Sequence, residues 1–129
     1  MIKVYSDAAT RHNPGLTGLG VLIVKDGKQT QLTGNLQHAD NHEGEFAAAK
    51  LAFTYLKDHF ATNETILFYT DSRLLSDAIG KNYAKHYEKE LAELTPLLDY
   101  FQLIVTQWVP DQHNHGAHHL ANEALHQLE

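Results

Sequence analysis

The chain contains no cysteine. That excludes a disulfide framework and any thiolate metal or redox centre, and it suits a reducing compartment. Basic residues are also scarce: 10 Lys and Arg stand against 16 Asp and Glu, for a formal net charge of −6. A protein that coats nucleic acid through a basic surface shows the opposite balance. The 10 histidines make the charge less negative as pH falls through roughly 6.5. No stretch approaches the ~20 apolar residues of a membrane span. The N-terminus "MIKVYSDAAT" has no charged region followed by the apolar run of a secretion signal. A soluble cytoplasmic protein with no membrane partner is expected. No repeat, low-complexity tract or linker interrupts the 129 residues, so a single domain over 1–129 is expected, burying about two thirds of its unfolded surface.

What is present is a clear succession of elements. "IKVYSDAA" reads as a strand, and "HNPGLTGLG" as a turn leading into the β-rich run "GVLIV". "KDGK" carries an Asp-Gly hairpin signal before "QTQLTG", so three antiparallel strands open the chain. Phe46, Ala49, Phe53, Leu56 and Phe60 then recur at helical spacing, with Asp40 or Asn41 as the cap. "ETILFYTDS" is the next strand, and "RLLSDAIG" a short helix stopped by Gly80. A polar helical stretch, "YAKHYEKELAELTPLLDYF", is bent or divided by Pro96. The strand "QLIVTQWV" follows, and a last helix carries a stripe of Ala117, Leu120, Ala121, Ala124, Leu125 and Leu128. A mixed sheet with helices on its faces is the natural packing for this order.

Two segments echo each other: "VYSDA" at 4–8 and "FYTDS" at 68–72. Each is apolar-Tyr-hydroxyl-Asp at a strand end. In parallel neighbouring strands Asp7 and Asp71 leave the sheet on the same edge, about 5 Å apart at the backbone. Glu45 lies in the first turn of the long helix, and the small residues Ala48, Ala49 and Ala52 on its face let that helix lie close to the sheet. Three crowded carboxylates repel each other, and at least one stays protonated unless a cation joins them. Oxygen-rich sites select Mg²⁺ or Mn²⁺ over zinc. Any one of these acids alone is more ordinarily a turn or cap residue; the paired contexts favour a site.

The segments "YSDAATRHNPGLTGLG", "NHEGEFAAAKLA", "FYTDSRLL" and "WVPDQHNHGAHHLANEAL" resemble ribonuclease HI, in particular its short bacterial members without an N-terminal hybrid-binding domain. The order of elements agrees over nearly the whole chain. The resemblance implies an α/β, RNase H-like fold, in which a five-stranded mixed sheet (three antiparallel strands, then parallel ones) is flanked by helices. It implies that Asp7, Glu45 and Asp71 match three acids of the family's four-carboxylate site. That site holds two Mg²⁺ ions on the RNA strand of an RNA–DNA hybrid, one activating water and the other stabilising the leaving oxygen. The expected products carry 5′-phosphate and 3′-hydroxyl ends, and the expected protein is a monomer.

The departure from the family lies at the fourth acid, where this chain has His118. His118 shares a helix face with Ala121 and Leu125, whereas His115, His119, Asn122 and His126 share a face turned to solvent. A helix N-terminus favours a neutral, metal-ligating imidazole, so His118 is expected as the fourth ligand, with weaker metal binding and more tolerance of Mn²⁺. His113, or alternatively His115, falls in the loop where the family places a mobile histidine that aids product release. Asn13, Gly15 and Asn41 match the family's minor-groove contacts, with His42 and Arg73 beside them. The turn at Asn13-Pro14-Gly15 is by composition alone a plain one.

The basic, Trp-rich protrusion of larger family members has no counterpart in "KNYAKHYEKELAELT" at 81–95, which balances Lys with Glu. Weak hybrid affinity, or help from another protein, follows. Two other readings remain. One is a catalytically impaired RNase H-fold module that only binds nucleic acid. The other is a zinc site on His115 and His119, which no acid or Cys motif of the usual type supports.

Overall fold

A computed structural model describes residues 1–129. Its elements are β1 (Ile2–Thr10), β2 (Gly15–Lys25), β3 (Lys28–Ala39), α1 (Asn41–His59), β4 (Thr65–Thr70), α2 (Arg73–Lys81), α3 (Glu88–Asp99), β5 (Leu103–Trp108) and α4 (His115–Leu128). The five strands form one sheet in the order β3-β2-β1-β4-β5. Pairing is antiparallel for β1–β2 and β2–β3 and parallel for β1–β4 and β4–β5. This is the expected mixed sheet. No helix is long and apolar enough to cross a membrane.

The hairpin signal holds. Lys25 pairs with Lys28 across Asp26 and Gly27, both at positive φ (52° and 76°), as a two-residue turn matched to strand twist requires. Both strands run further than their apolar centres suggest, because β3 pairs with β2 through polar residues as far as Ala39.

The two sheet faces are filled differently. Side chains alternate along a strand, so Leu19, Val21 and Ile23 of β2 face α1, while Gly18, Gly20 and Leu22 face α4. On the α1 side, Phe46, Phe53 and Leu56 join Val4, Ile66 and Phe68 in one core, all at 0–2% exposure. Burying side chains of this size contributes about 1.5–3 kcal/mol each. On the α4 side, the helix backbone sits directly on the glycines. A Cβ on Gly18 would lie 2.2 Å from the Ala121 carbonyl oxygen, and one on Gly20 would lie 2.3 Å from that of Ala117. Only hydrogen fits at these positions, which assigns to helix docking two glycines that the sequence had placed in a turn.

Two local expectations are corrected, and one of two alternatives is excluded. Helix α2 runs through Gly80 to Lys81, and its C-terminal cap is Asn82 in the left-handed region (φ 53°, ψ 41°), a conformation Asn tolerates. Residues 82–87 are not helical, and α3 begins at Glu88. Pro96 lies inside α3 without dividing it. The carbonyl it deprives of a partner belongs to Ala92, an exposed residue.

Candidate metal centre and groove

Ser6 of β1 pairs with Thr70 of β4, so the next residues, Asp7 and Asp71, stand side by side where β4 ends. Asp71 follows its strand, but Asp7 does not end one: β1 continues to Thr10 against β2. Asp7 is 4% exposed. One of its oxygens, Oδ1, accepts the Ala8 N–H at 2.9 Å. The other, Oδ2, lies 2.8 Å from His118 Nδ1.

Helix α1 delivers Glu45. Its N-cap is Asp40, whose side chain accepts the Glu43 N–H at 2.7 Å while Glu43 accepts the Asp40 N–H at 2.9 Å. This reciprocal cap satisfies two free amides and makes Glu43 the first-turn acid, so Glu45 sits in the second turn. Anchored by Phe46, Ala48 and Ala49 beneath it, Glu45 is buried, and its Oε2 has no hydrogen-bond partner.

One oxygen from each of Asp7, Glu45 and Asp71 lies within 4.8 Å of the others. Burial first, and then the charges of Asp7 and Asp71, pushes Glu45 well above the usual carboxylate range. Asp71 is pushed up to about 6 by burial and by Asp7, against a hydrogen bond from Asn114 that works the other way. An orphaned buried carboxylate oxygen within a crowd of anions is the environment that a hard divalent cation satisfies. The three side chains therefore fit a hard divalent cation. No other group of three His, Asp or Glu side chains comes together. His115 and His119 are exposed, and His119 faces Glu123 at 3.6 Å.

A groove of about 390 Å³ opens beside the acids, lined by Asn41, His42, Arg73 and Trp108 together with Glu45 and Asp71. A larger groove of about 440 Å³ between α1 and α3 is lined by Leu19, Leu36, Phe46 and Leu51 and holds none of the clustered acids; the chemistry belongs to the smaller one. Asn13 Oδ1 accepts the Asn41 N–H at 2.8 Å, tying the β1–β2 loop to the start of α1. Gly15 closes that loop so tightly that a Cβ would lie 2.0 Å from the Arg11 carbonyl oxygen. His42 packs edge-on against Tyr87. Of the residues expected around the site, His113 and His115 are exposed and make no side-chain hydrogen bond to it.

Four participants were not legible in the sequence. Asn114, 1% exposed, donates from Nδ2 to the Ser6 carbonyl at 2.9 Å and to Asp71 Oδ2 at 3.3 Å. Trp108 Nε1–H donates to the Asp71 carbonyl at 3.0 Å, and the Arg73 guanidinium lies 3.8 Å from its ring centroid. Ser72 caps α2 by accepting the Leu75 N–H at 3.1 Å. Asn122, expected on the outward face, contacts His118 instead. An Asn just before a helix and a Trp at a strand end were the available signals, but their partners lie far away in sequence.

The family model for RNase H matches residues 1–125. The chain is 38% identical over 130 residues to the putative hydrolase EbsB of Enterococcus faecalis, covering 97% of this chain and 94% of that protein. It is 32% identical over 88 residues to ribonuclease HI of Synechocystis, a stretch covering 67% of this chain and 52% of that protein, about half its length. Among solved structures, RNase H1 of the archaeon Halobacterium salinarum superposes with a TM-score of 0.89 at 26% identity, covering 98% of both chains. LC11-RNase H1 in complex with an RNA/DNA hybrid gives 0.90 at 21% identity over 99% of both, a likeness of fold. With the sheet order, the clustered acids and these relatives in agreement, the chain belongs to the RNase H family and is an RNase HI-type protein.

Proposed function

We propose that this protein is a metal-dependent endonuclease that hydrolyses the RNA strand of RNA–DNA hybrids, acting as a monomer in the cytoplasm. The observation that carries this is the convergence of Asp7, Glu45 and Asp71 within 4.8 Å beside a groove lined with polar and cationic groups. These three side chains would hold two Mg²⁺ or Mn²⁺ ions, with His118 as the fourth group of the site. Bound there, the ions would activate a water as nucleophile and stabilise charge on the leaving oxygen, in a hydrolysis that leaves 5′-phosphate and 3′-hydroxyl ends.

The chain's own residues do the rest. Asp7 and Asp71 are held on adjacent strands, so their spacing is set by the sheet. Glu45 is fixed from the opposite side by the α1 core. Asn114 ties Asp71 to β1 through the Ser6 carbonyl, and Trp108 holds the Asp71 backbone. Asn13, Gly15, Asn41 and His42 form the wall that meets the hybrid's minor groove, where 2′-hydroxyls distinguish RNA from DNA. Arg73, spread on Trp108, offers a cation to a backbone phosphate. His113 or His115, both in water, assist product release.

The test is cleavage of a labelled hybrid by wild type and by Asp7→Asn and Asp71→Asn, with fold checked by circular dichroism. Loss of cleavage in folded variants supports the reading; near-wild-type rates overturn it. The replacement of the fourth acid favours a second reading, a module that binds hybrids without cleaving them. Hybrid binding by wild type with no cleavage in either metal would establish that instead.

A further inference from the structure

The contacts of His118 define more than its proximity to Asp7. Its Nδ1 lies 2.8 Å from Asp7 Oδ2. On the far side of the ring, Asn122 Nδ2 lies 3.0 Å from Nε2 and also 3.0 Å from the His118 backbone carbonyl. A carbonyl oxygen only accepts, so the NH₂ end of the Asn122 amide faces it. The same NH₂ group therefore faces Nε2 and donates to it. In a neutral imidazole one nitrogen carries the proton and the other accepts. With Nε2 accepting, the proton sits on Nδ1 and points at Asp7.

We infer that Asn122 is a positioning residue that fixes His118 as a hydrogen-bond donor to Asp7, so that the imidazole orients this carboxylate rather than ligating a cation itself. A protonated Nδ1 has no lone pair to give a metal. Ala8 N–H donates to Asp7 Oδ1 and His118 to Oδ2, and the Glu45 carboxyl also hydrogen-bonds Asp7. A carboxylate offers about four lone-pair directions, so Asp7 keeps at least one free. The arrangement aims Asp7 and leaves it able to bind. It also explains why an exposed ring, 60% accessible against 5% for Asp7, keeps a defined place: the i, i+4 spacing of His118 and Asn122 puts the amide one helical turn away. Outer partners of ligating side chains commonly act this way, by orientation.

The inference rests on the metal reading above only for what happens when cation is added. The test uses protein labelled with ¹⁵N in histidine, at about pH 8, where an ordinary imidazole is neutral. Long-range ¹H–¹⁵N spectra report which ring nitrogen carries the proton. His118, assigned by its loss in His118→Ala, is expected to show a protonated Nδ1 and a bare Nε2. A proton on Nε2 in the metal-free protein overturns the inference.

Mg²⁺ is then added while calorimetry follows its binding. The Nδ1–H form is expected to persist at saturation; a switch to Nε2–H, as ligation through Nδ1 demands, overturns it. Absence of any Mg²⁺ binding would count against the metal reading alone, because the metal-free spectrum has already decided the proton's position. Asn122→Ala, a favourable helix substitution, should keep the fold, reduce the Nδ1–H share and weaken Mg²⁺ binding by up to about tenfold, the lower end for outer partners. An unchanged spectrum in that variant would remove Asn122 from the role.

Discussion

The two helices that frame the site are built on opposite plans. Helix α1 carries Glu45 into burial on a wall of large side chains, Phe46, Phe53 and Leu56. Helix α4 carries His118 to the same place by close approach, resting its backbone on Gly18 and Gly20 with Leu120 and Leu125 as its only large buried side chains. One wall holds a charge that burial disfavours; the other presents an exposed polar ring held by two hydrogen bonds. The α1 wall thus sets where charge must be neutralised, and the α4 wall sets how closely the neighbouring group approaches Asp7.

The largest expected effect comes from the buried wall. Glu45→Gln should lower hybrid cleavage by about a thousandfold, the scale of several kcal/mol of lost charge stabilisation. In the metal-free protein the same change should raise the melting temperature by about 3–5 °C, the shift from roughly 1 kcal/mol in a domain of this size, because it removes a carboxylate that burial and its neighbours oppose. Slower cleavage together with lower stability would mean that Glu45 is a structural acid.

The glycine wall breaks next. Gly20→Ala places a methyl against the Ala117 and Ala121 backbones at 2.3 and 2.5 Å and should cost about 3 kcal/mol in urea unfolding. Gly34→Ala is the contrast, because its Cβ would come no nearer than 3.4 Å to anything, meeting side-chain atoms of Leu19 and Leu51; it should stay within about 1 kcal/mol of wild type. Equal costs would show that α4 does not depend on close approach.

A smaller effect follows from pH. Asp71 titrates at about 6 in the folded chain against 3.8 ordinarily, so between these values the folded state holds the proton more firmly. Stability from this group is complete below 3.8 and is lost as pH rises through about 6; Glu45, shifted the same way by burial and its neighbours, adds a loss of the same sign. Metal-free melting temperature should therefore fall across this window, and saturating Mg²⁺ should restore part of it at neutral pH. A rise in stability over that window would contradict the crowding of the acids. Least affected should be the histidines of α4. His118→Ala should reduce cleavage by about tenfold with partial recovery in high Mn²⁺, and His119→Ala, beside Glu123 in water, should change little.

Much of the α1 wall was readable in the sequence, because its information is local. The 3.6-residue recurrence of Phe46, Ala49, Phe53 and Leu56 gives the helix, and the echo of "VYSDA" in "FYTDS" gives the pair of strand carboxylates. His118 beside Asp7 was legible from the helix face it shares with Ala121. The α4 wall was less so. Gly18 and Gly20 look like turn residues until the helix that needs them is in place. Asn122 follows His118 by one turn, yet its side chain folds back along the helix to the ring instead of outward to water, a choice of rotamer that face counting does not see. Asn114 reaches Ser6, 108 residues away, and nothing near it in the chain announces that contact. The end of α2 was misread because Gly80 is the usual residue for the role that Asn82 performs at φ 53°.

The central claim is that the clustered acids make this chain a metal-dependent nuclease of RNA–DNA hybrids. Its most direct test is to incubate wild type with an end-labelled hybrid and with a DNA duplex of the same sequence, each in Mg²⁺, in Mn²⁺ and in chelator. The account predicts cleavage of the RNA strand alone, only with a divalent ion, leaving 5′-phosphate ends. Cleavage that persists in chelator, or an intact hybrid in both metals, would contradict it.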